Sequence, residues 1–125
     1  MAVKVRILAD SGYKFDRRIV RSMVERVLSD NGVKEPAEVV VSVVGEKKMK
    51  RLHGRYMQTK GTTDVLSFPL DFDKHYPDGV VRLGDIVVCY PVAARQAQIS
   101  KRSVNEEITF LVEHGCRHLL GIHHS

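Results

Sequence analysis

The spacing of apolar residues changes several times along the chain, and each change predicts a new strand or helix. Short segments that alternate in polarity or are rich in valine predict β-strands at Val3–Leu8, Ala37–Val44, Val65–Phe68 and Leu83–Cys89. Apolar residues at helical spacing predict α-helices at Asp16–Leu28, Gly45–Tyr56 and Pro91–Gln98, and a further helix that begins at Ser103. A loop is predicted at Asp71–Gly79, and the valine-rich second strand is expected to be buried on both faces or nearly so.

The last helix carries the clearest local signals of the chain. Ser103 and Glu106 form an S-x-x-E capping box, which is typical of a helix start. The residues at helical spacing after it form an apolar face that consists of Val104, Ile108, Leu111, Val112 and Leu119. Gly115 interrupts this face at a cost of about 1 kcal/mol relative to alanine, so we expect another element to pack closely against it. Cys116 points to a different side of the helix from the neighbouring histidines and is interpreted as a packing residue.

Composition limits the classes of protein to which this chain can belong. Its 125 residues are enough for a single domain, residues 1–125, with a sizeable core. No apolar run approaches the ~20 residues that cross a bilayer, and the N-terminus lacks the apolar centre of a secretory signal, so no membrane partner is expected. Two cysteines make no disulfide framework, and we expect reduced thiols in a cytoplasmic protein. The net charge of +5 favours a polyanionic partner.

Four of the six histidines lie in the last dozen residues. His114 and His118 are four residues apart, so they share one side of the predicted helix, at the edge of its apolar face. Gly121 is expected to end the helix and turn the chain back, which would bring His124 to the same place. Three imidazoles at this spacing are typical of a zinc site whose fourth position is open to water, as in catalytic rather than structural sites.

Other interpretations of these histidines stay open. A single histidine is usually a surface or core residue without a metal, and a terminal His-His pair can be a fragment of a tag. Neither interpretation explains the pair at His114 and His118 followed by a glycine. His123 competes with His124 as the third ligand, and only the spacing favours His124.

The residue after the first histidine distinguishes this motif from that of the zinc proteases. Those enzymes have a glutamate there as general base, whereas this chain has Gly115. Glu113 cannot replace it, because one residue earlier on a helix is rotated by about 100° from the metal. The motif therefore argues against peptide cleavage and favours another substrate, of which phosphodiesters are the natural candidate.

Charged residues on two helices are candidates for contact with a substrate or a ligand. Lys47, Arg51 and Arg55 are spaced four residues apart on the second helix, and Lys60 follows them. A solvated helix face is the ordinary interpretation of such a run, and a track for phosphate groups is the functional one. Glu107 lies two turns before the first histidine and is a candidate to orient a ligand imidazole; the alternative is an exposed helix glutamate.

Taken together, these segments resemble the YbeY family of metal-dependent endoribonucleases, which mature ribosomal RNA. The resemblance lies in Thr63–Pro69 (T-D-V-L-S-F-P), Leu83–Val87 (L-G-D-I-V), Glu107 and His114–His124 (H-G-x-x-H-L-L-G-x-x-H), and it covers roughly residues 37–124. On their own, Asp64 and Asp85 could simply satisfy local backbone groups. The resemblance implies an α+β fold with a small mixed β-sheet packed by helices. It also implies one Zn²⁺ per chain at the C-terminal end of the last helix, bound by His114, His118 and His124.

The hypothesis that follows from the histidine set, the missing glutamate base and the basic residues is a single-strand-specific endoribonuclease that uses a zinc-bound water. Its partners would be ribosomal RNA precursor and the ribosome in the cytoplasm, with no DNA expected, and it would serve ribosomal RNA maturation and ribosome quality control. The basic residues Lys47, Arg51, Arg55 and Lys60 are expected to hold the RNA backbone. The family places an arginine after the tyrosine of the second helix, where this chain has Met57. Arg55 is the nearest arginine and could stabilise the scissile phosphate only if the end of the helix shifts.

Two alternative functions remain. One is a metal-stabilised RNA- or ribosome-binding factor with little catalysis, which is motivated by Met57 and by His123 in place of the family's usual aspartate. The other is a zinc hydrolase of peptides or small molecules, against which Gly115 argues. The native metal is also open, because three imidazoles suit nickel, copper and iron as well as zinc.

Overall fold

The computed structural model of the chain describes residues 3–33, 36–57, 65–69 and 79–124, with the backbone alone at 53–57, 68–69 and 122–124. These residues contain, in order, β1 (Val3–Ala9), α1 (Arg17–Asp30), β2 (Ala37–Val44), α2 (Glu46–Met57), β3 (Val65–Pro69), β4 (Val81–Cys89), α3 (Tyr90–Ile99) and α4 (Val104–His124). Every predicted strand and helix is present, with ends that differ by a few residues. The predicted loop at Asp71–Gly79 lies almost wholly outside the described residues. Within those residues, no helix combines the length and the apolar character that a membrane span requires.

The strands form one mixed sheet in the order β1-β2-β4-β3. β1, β2 and β4 run parallel to one another, and β3 is an antiparallel strand beside β4. The register of β2 with β4 shifts between Glu38 and Val39, opposite Gly84, whose φ of 152° suits such an irregularity. The predicted α+β fold, with a small mixed sheet packed by helices, is confirmed.

The main core lies between one face of the sheet and the helices α1 and α4. Val39, Val41 and Val43 of β2 point into this core and are fully buried. Because alternate strand residues point to opposite faces, Val40 and Ser42 lie on the other face, where they are only half-buried. The expectation that β2 is buried on both faces is therefore wrong for most of the strand.

A smaller apolar cluster lies on the other face of the sheet, beneath α2. It consists of Val44, Met49, Leu66, Val87 and Cys89. The first turn of α2 is joined to α3 by an ion pair between Glu46 and Arg95 at 3.1 Å, and the hydrogen bond from Arg95 lowers the pKa of Glu46. β3 thus lies between two helices, because Leu66 faces α2 and the next residue, Ser67, faces α4.

α4 begins as the sequence predicts and ends later. The backbone N–H of Ser103 donates to Oε1 of Glu106 at 2.9 Å, and that of Glu106 donates to Oγ of Ser103 at 3.0 Å, which confirms the capping box. The helix continues through Gly121 to His124, so the predicted helix end at Gly121 is wrong. This glycine lacks the positive φ of a C-cap, and the buried Leu120 holds the preceding turn against the core.

Gly115 allows α4 to lie close to β4. A Cβ atom built at this position would be 2.8 Å from Cγ2 of Ile86, a separation that real side chains do not tolerate. The predicted close packing at Gly115 is therefore confirmed. The same contact fixes the height of the helix above the sheet.

The two glycines of α4 predict opposite effects of the same substitution. Gly115→Ala should lower the free energy of unfolding by about 1–3 kcal/mol, because the added methyl group overlaps with Ile86. Gly121→Ala is the matched control and should raise it by up to about 1 kcal/mol, because a Cβ there meets nothing within 4 Å. Urea unfolding of both variants measures the difference. Equal effects would show that the approach of α4 to Ile86 does not depend on the glycine.

Candidate metal centre

His114 and His118 lie one turn apart on the same side of α4. Residues four positions apart on a helix are separated by about 6 Å along the axis, and their side chains lie one above the other. Both histidines are exposed, whereas Gly115 and Cys116 between them are buried against the sheet. Two imidazoles that share a helix face and reach solvent suit the first two ligands of the predicted zinc site.

A serine of β3 holds one of these rings. Oγ of Ser67 lies 2.5 Å from Nδ1 of His118. Ser67 pairs with Ile86 across β3 and β4, so both side chains face α4. The contact occupies Nδ1 and leaves Nε2 as the ring nitrogen that can face a metal. The sequence predicts the strand around Ser67 but no role for the serine; the only local signal is a polar residue between two apolar ones.

The third predicted ligand, His124, is described by its backbone alone. In a continuous helix His124 lies about 9 Å further along the axis than His118 and about 120° around it. Among the described side chains, no three potential metal ligands come together. The structure therefore brings together two of the predicted ligands, which fit a zinc ion in their chemistry, and the role of His124 stays a prediction.

Glu107 is the one buried charged side chain among the described residues, at 2% exposure. Its Oε1 pairs with a guanidinium nitrogen of Arg102 at 3.1 Å, beside the start of α4. The alternative that it is an exposed helix glutamate is wrong. About 10 Å of helix axis separates it from His114, so this ion pair gives no support to the prediction that Glu107 orients a ligand imidazole.

Two residues next to the histidines, Glu113 and Cys116, form other contacts. Glu113 forms an ion pair with Arg117, one turn later on α4, at 2.9 Å. The side chain of Cys116 is fully buried in the main core, and burial raises the pKa of its thiol to about 11. The interpretation of Cys116 as a packing residue is confirmed.

The predicted basic stripe is described in part. Lys47 and Arg51 are exposed on α2, while the side chain of Arg55 and the whole of Lys60 lie outside the described residues. α2 packs on the face of the sheet opposite to α4, because its Met49 belongs to the smaller apolar cluster. The sheet therefore separates the described basic residues from the histidines, and β4 is a strand that both helices contact.

Asp85 lies on β4 next to Ile86 and therefore on the opposite face of the strand from the core. It is half-buried, and loss of hydration raises the pKa of its carboxyl, with a smaller contribution from the nearby Glu38. The structure thus places Asp85 on the face away from the histidines. Asp64 lies outside the described residues.

The fold and this site define a class: small α+β proteins in which two histidines of a long helix lie beside an antiparallel edge strand. Within that class, the chain belongs to the endoribonuclease YbeY family, whose family model matches residues 10–125. The resemblance seen in the sequence is therefore confirmed.

Curated relatives and a solved structure agree with this assignment. The chain is 39% identical to the endoribonuclease YbeY of Clavibacter michiganensis, over 98% of this chain and 83% of that protein. It is 37% identical to that of Thermobifida fusca, over 98% of this chain and 82% of the relative. The solution structure of the Thermotoga maritima protein TM1509 superposes with a TM-score of 0.61 at 24% identity, over 93% of this chain and 71% of the other, which supports the fold alone.

The raised pKa of Asp85 predicts a pH-dependent effect of removing its charge. The folded protein holds the proton more tightly than the unfolded chain, so ionisation destabilises the fold as the pH rises above the ordinary value of 3.8. Asp85→Asn should therefore gain stability relative to the unmodified protein between pH 4 and neutral pH. Urea unfolding of both proteins across this range tests it. A stability difference that stays constant with pH would show that Asp85 is not desolvated in the folded state.

Proposed function

We propose that this protein is a zinc-dependent, single-strand-specific endoribonuclease that acts on ribosomal RNA precursor in maturation and in ribosome quality control. The proposal includes the ribosome as partner and the cytoplasm as location. One observation carries it: in a chain of the endoribonuclease YbeY family, His114 and His118 share the exposed side of α4 and Ser67 contacts one of them. The curated relatives bear the name endoribonuclease, which supports RNA as the substrate.

In this proposal His114, His118 and His124 bind the metal ion. A zinc ion held by these residues would polarise a phosphate oxygen and lower the pKa of a bound water molecule toward about 7. The side chain of His118 contacts Oγ of Ser67, a partner of the kind that metal-ligating imidazoles usually have. Lys47, Arg51, Arg55 and Lys60 hold the RNA backbone, with Arg55 nearest in sequence to the position expected to stabilise the scissile phosphate.

The packing of Gly115 argues further against a peptidase. A side chain at this position would point at Ile86 in the core and not toward solvent beside His114. A glutamate there would have to be buried without space, so it could not act as general base. This strengthens the preference for a phosphodiester substrate.

The second candidate is an RNA- or ribosome-binding factor with little catalysis. The continuation of α4 through Gly121 favours it, because a helical last turn holds the backbone of His124 away from His118. Salt-dependent RNA binding without turnover by the zinc-loaded protein would select this candidate.

Histidine substitutions test the metal centre and identify its third ligand. The untagged protein should retain close to one zinc per chain after dialysis, measured by elemental mass spectrometry. His118→Ala and His124→Ala should lose both zinc and cleavage of ribosomal RNA, whereas His123→Ala, the matched control, should keep both. Cleavage that survives the loss of zinc would refute the mechanism, and loss of zinc in His123→Ala alone would assign that residue as third ligand.

Charge reversal on α2 tests the RNA-binding track. The double variant Lys47→Glu, Arg51→Glu should weaken the binding of single-stranded RNA at least about tenfold at low salt. The slope of the logarithm of the binding constant against the logarithm of the salt concentration should fall in magnitude by about one to two. Arg18→Glu, Arg26→Glu is a control of equal charge on the exposed side of α1. Fluorescence anisotropy over a range of salt measures both. An equal loss in the two variants would mean that net charge alone, and not the α2 surface, determines binding.

A further inference from the structure

Ser67 and His118 come from elements far apart in the chain and meet in one short contact. They are 51 residues apart in sequence, and their atoms Oγ and Nδ1 are 2.5 Å apart. We propose that Ser67 is a positioning residue, whose Oγ accepts a hydrogen bond from Nδ1–H of His118, sets the tautomer of the ring and directs Nε2 to the metal. This inference rests on the proposed function, since the metal at Nε2 is part of it.

The chemistry of the imidazole gives the direction of this hydrogen bond. A neutral histidine has one ring nitrogen that donates and one that accepts. If Nε2 is to bind a metal it must carry the lone pair, so the proton lies on Nδ1 and needs an acceptor. The hydroxyl oxygen of Ser67 is such an acceptor and is also within reach. A strand alanine at this position would leave the ring free to rotate and to take the other tautomer.

The surrounding packing makes the contact a fixed one. Ser67 is held opposite Ile86 by the antiparallel pairing of β3 with β4. Ile86 in turn lies against Gly115, which precedes His118 by three residues, or just under one turn, on α4. Ile86 therefore helps to position both residues: Ser67 through strand pairing, and His118 through the contact of Ile86 with Gly115 on the same helix. Supporting contacts of this kind are what holds a preorganised ligand in place.

A serine that only contributes to packing would also be half-buried here. The test therefore needs measurements that respond to the positioning of His118 and not to packing alone. We would compare the unmodified protein with Ser67→Ala, with the conservative Ser67→Thr, and with Ser42→Ala, a half-buried strand serine on the other face of the sheet. The first readout is zinc affinity, from competition with a chromogenic chelator. The second is the tautomer of His118 in the metal-free protein, from nitrogen chemical shifts of its ring.

We expect Ser67→Ala to bind zinc about 10- to 100-fold more weakly, as is typical when the hydrogen-bond partner of a metal ligand is removed. Its His118 should shift from the Nδ1–H form toward the Nε2–H form. Ser67→Thr should restore both properties, and Ser42→Ala should alter neither. Zinc affinity in Ser67→Ala within twofold of the unmodified protein would overturn the proposal, as would an equal loss in Ser42→Ala.

Failure of the proposed function and failure of the role of Ser67 give different results. If the unmodified protein binds no zinc, the proposed function fails, and the ring tautomer of the metal-free protein still shows whether Ser67 sets it. If the unmodified protein binds zinc and Ser67→Ala binds it equally well, the proposed function stands and only the role of Ser67 is rejected.

Discussion

Gly115 has no side chain at the place where α4 passes over Ile86, and the position of the whole helix depends on that space. A larger residue would overlap with Ile86 and push α4 away from the sheet. Because Ile86 is paired with Ser67 across β4 and β3, the same displacement would carry His118 away from its contact with Oγ of Ser67. The packing of the core and the geometry of the candidate metal centre therefore depend on one close contact between a helix and a strand.

β3 connects the two parts of the molecule to which a function is assigned. Leu66 packs with Met49 under the basic helix α2, and the next residue, Ser67, contacts the histidine helix α4. The alternation of a strand thus places neighbouring residues on opposite sides of the sheet. β3 is at one edge of the described sheet, next to β4.

The sequence was a reliable guide wherever a local pattern has a local cause. Periodicity located the strands and helices, the capping box marked the start of α4, and Gly115 indicated a close approach. The sequence was a poor guide where the position or the burial of a residue depends on residues elsewhere in the fold. The end of α4 was misplaced because a glycine stops a helix only if its φ becomes positive, and Gly121 stays helical. The burial of Glu107 depends on its ion pair with Arg102, and the contact of Ser67 with His118 depends on the strand order. Neither follows from spacing along the chain.

α4 is held against the rest of the protein near its start, where Oδ1 of Asn105 accepts a hydrogen bond from the backbone N–H of Asp16, and further along at Gly115 and at His118. Each residue of a helix adds about 100° of rotation and 1.5 Å of rise. One inserted or deleted residue between Ser103 and Gly115 would therefore turn the histidines to another side of the helix, even if the helix remained intact. An insertion of seven would restore the direction to within about 20° but move the rings by roughly 10 Å. The number of residues in this segment is thus constrained by the packing of the helix, as well as their identity.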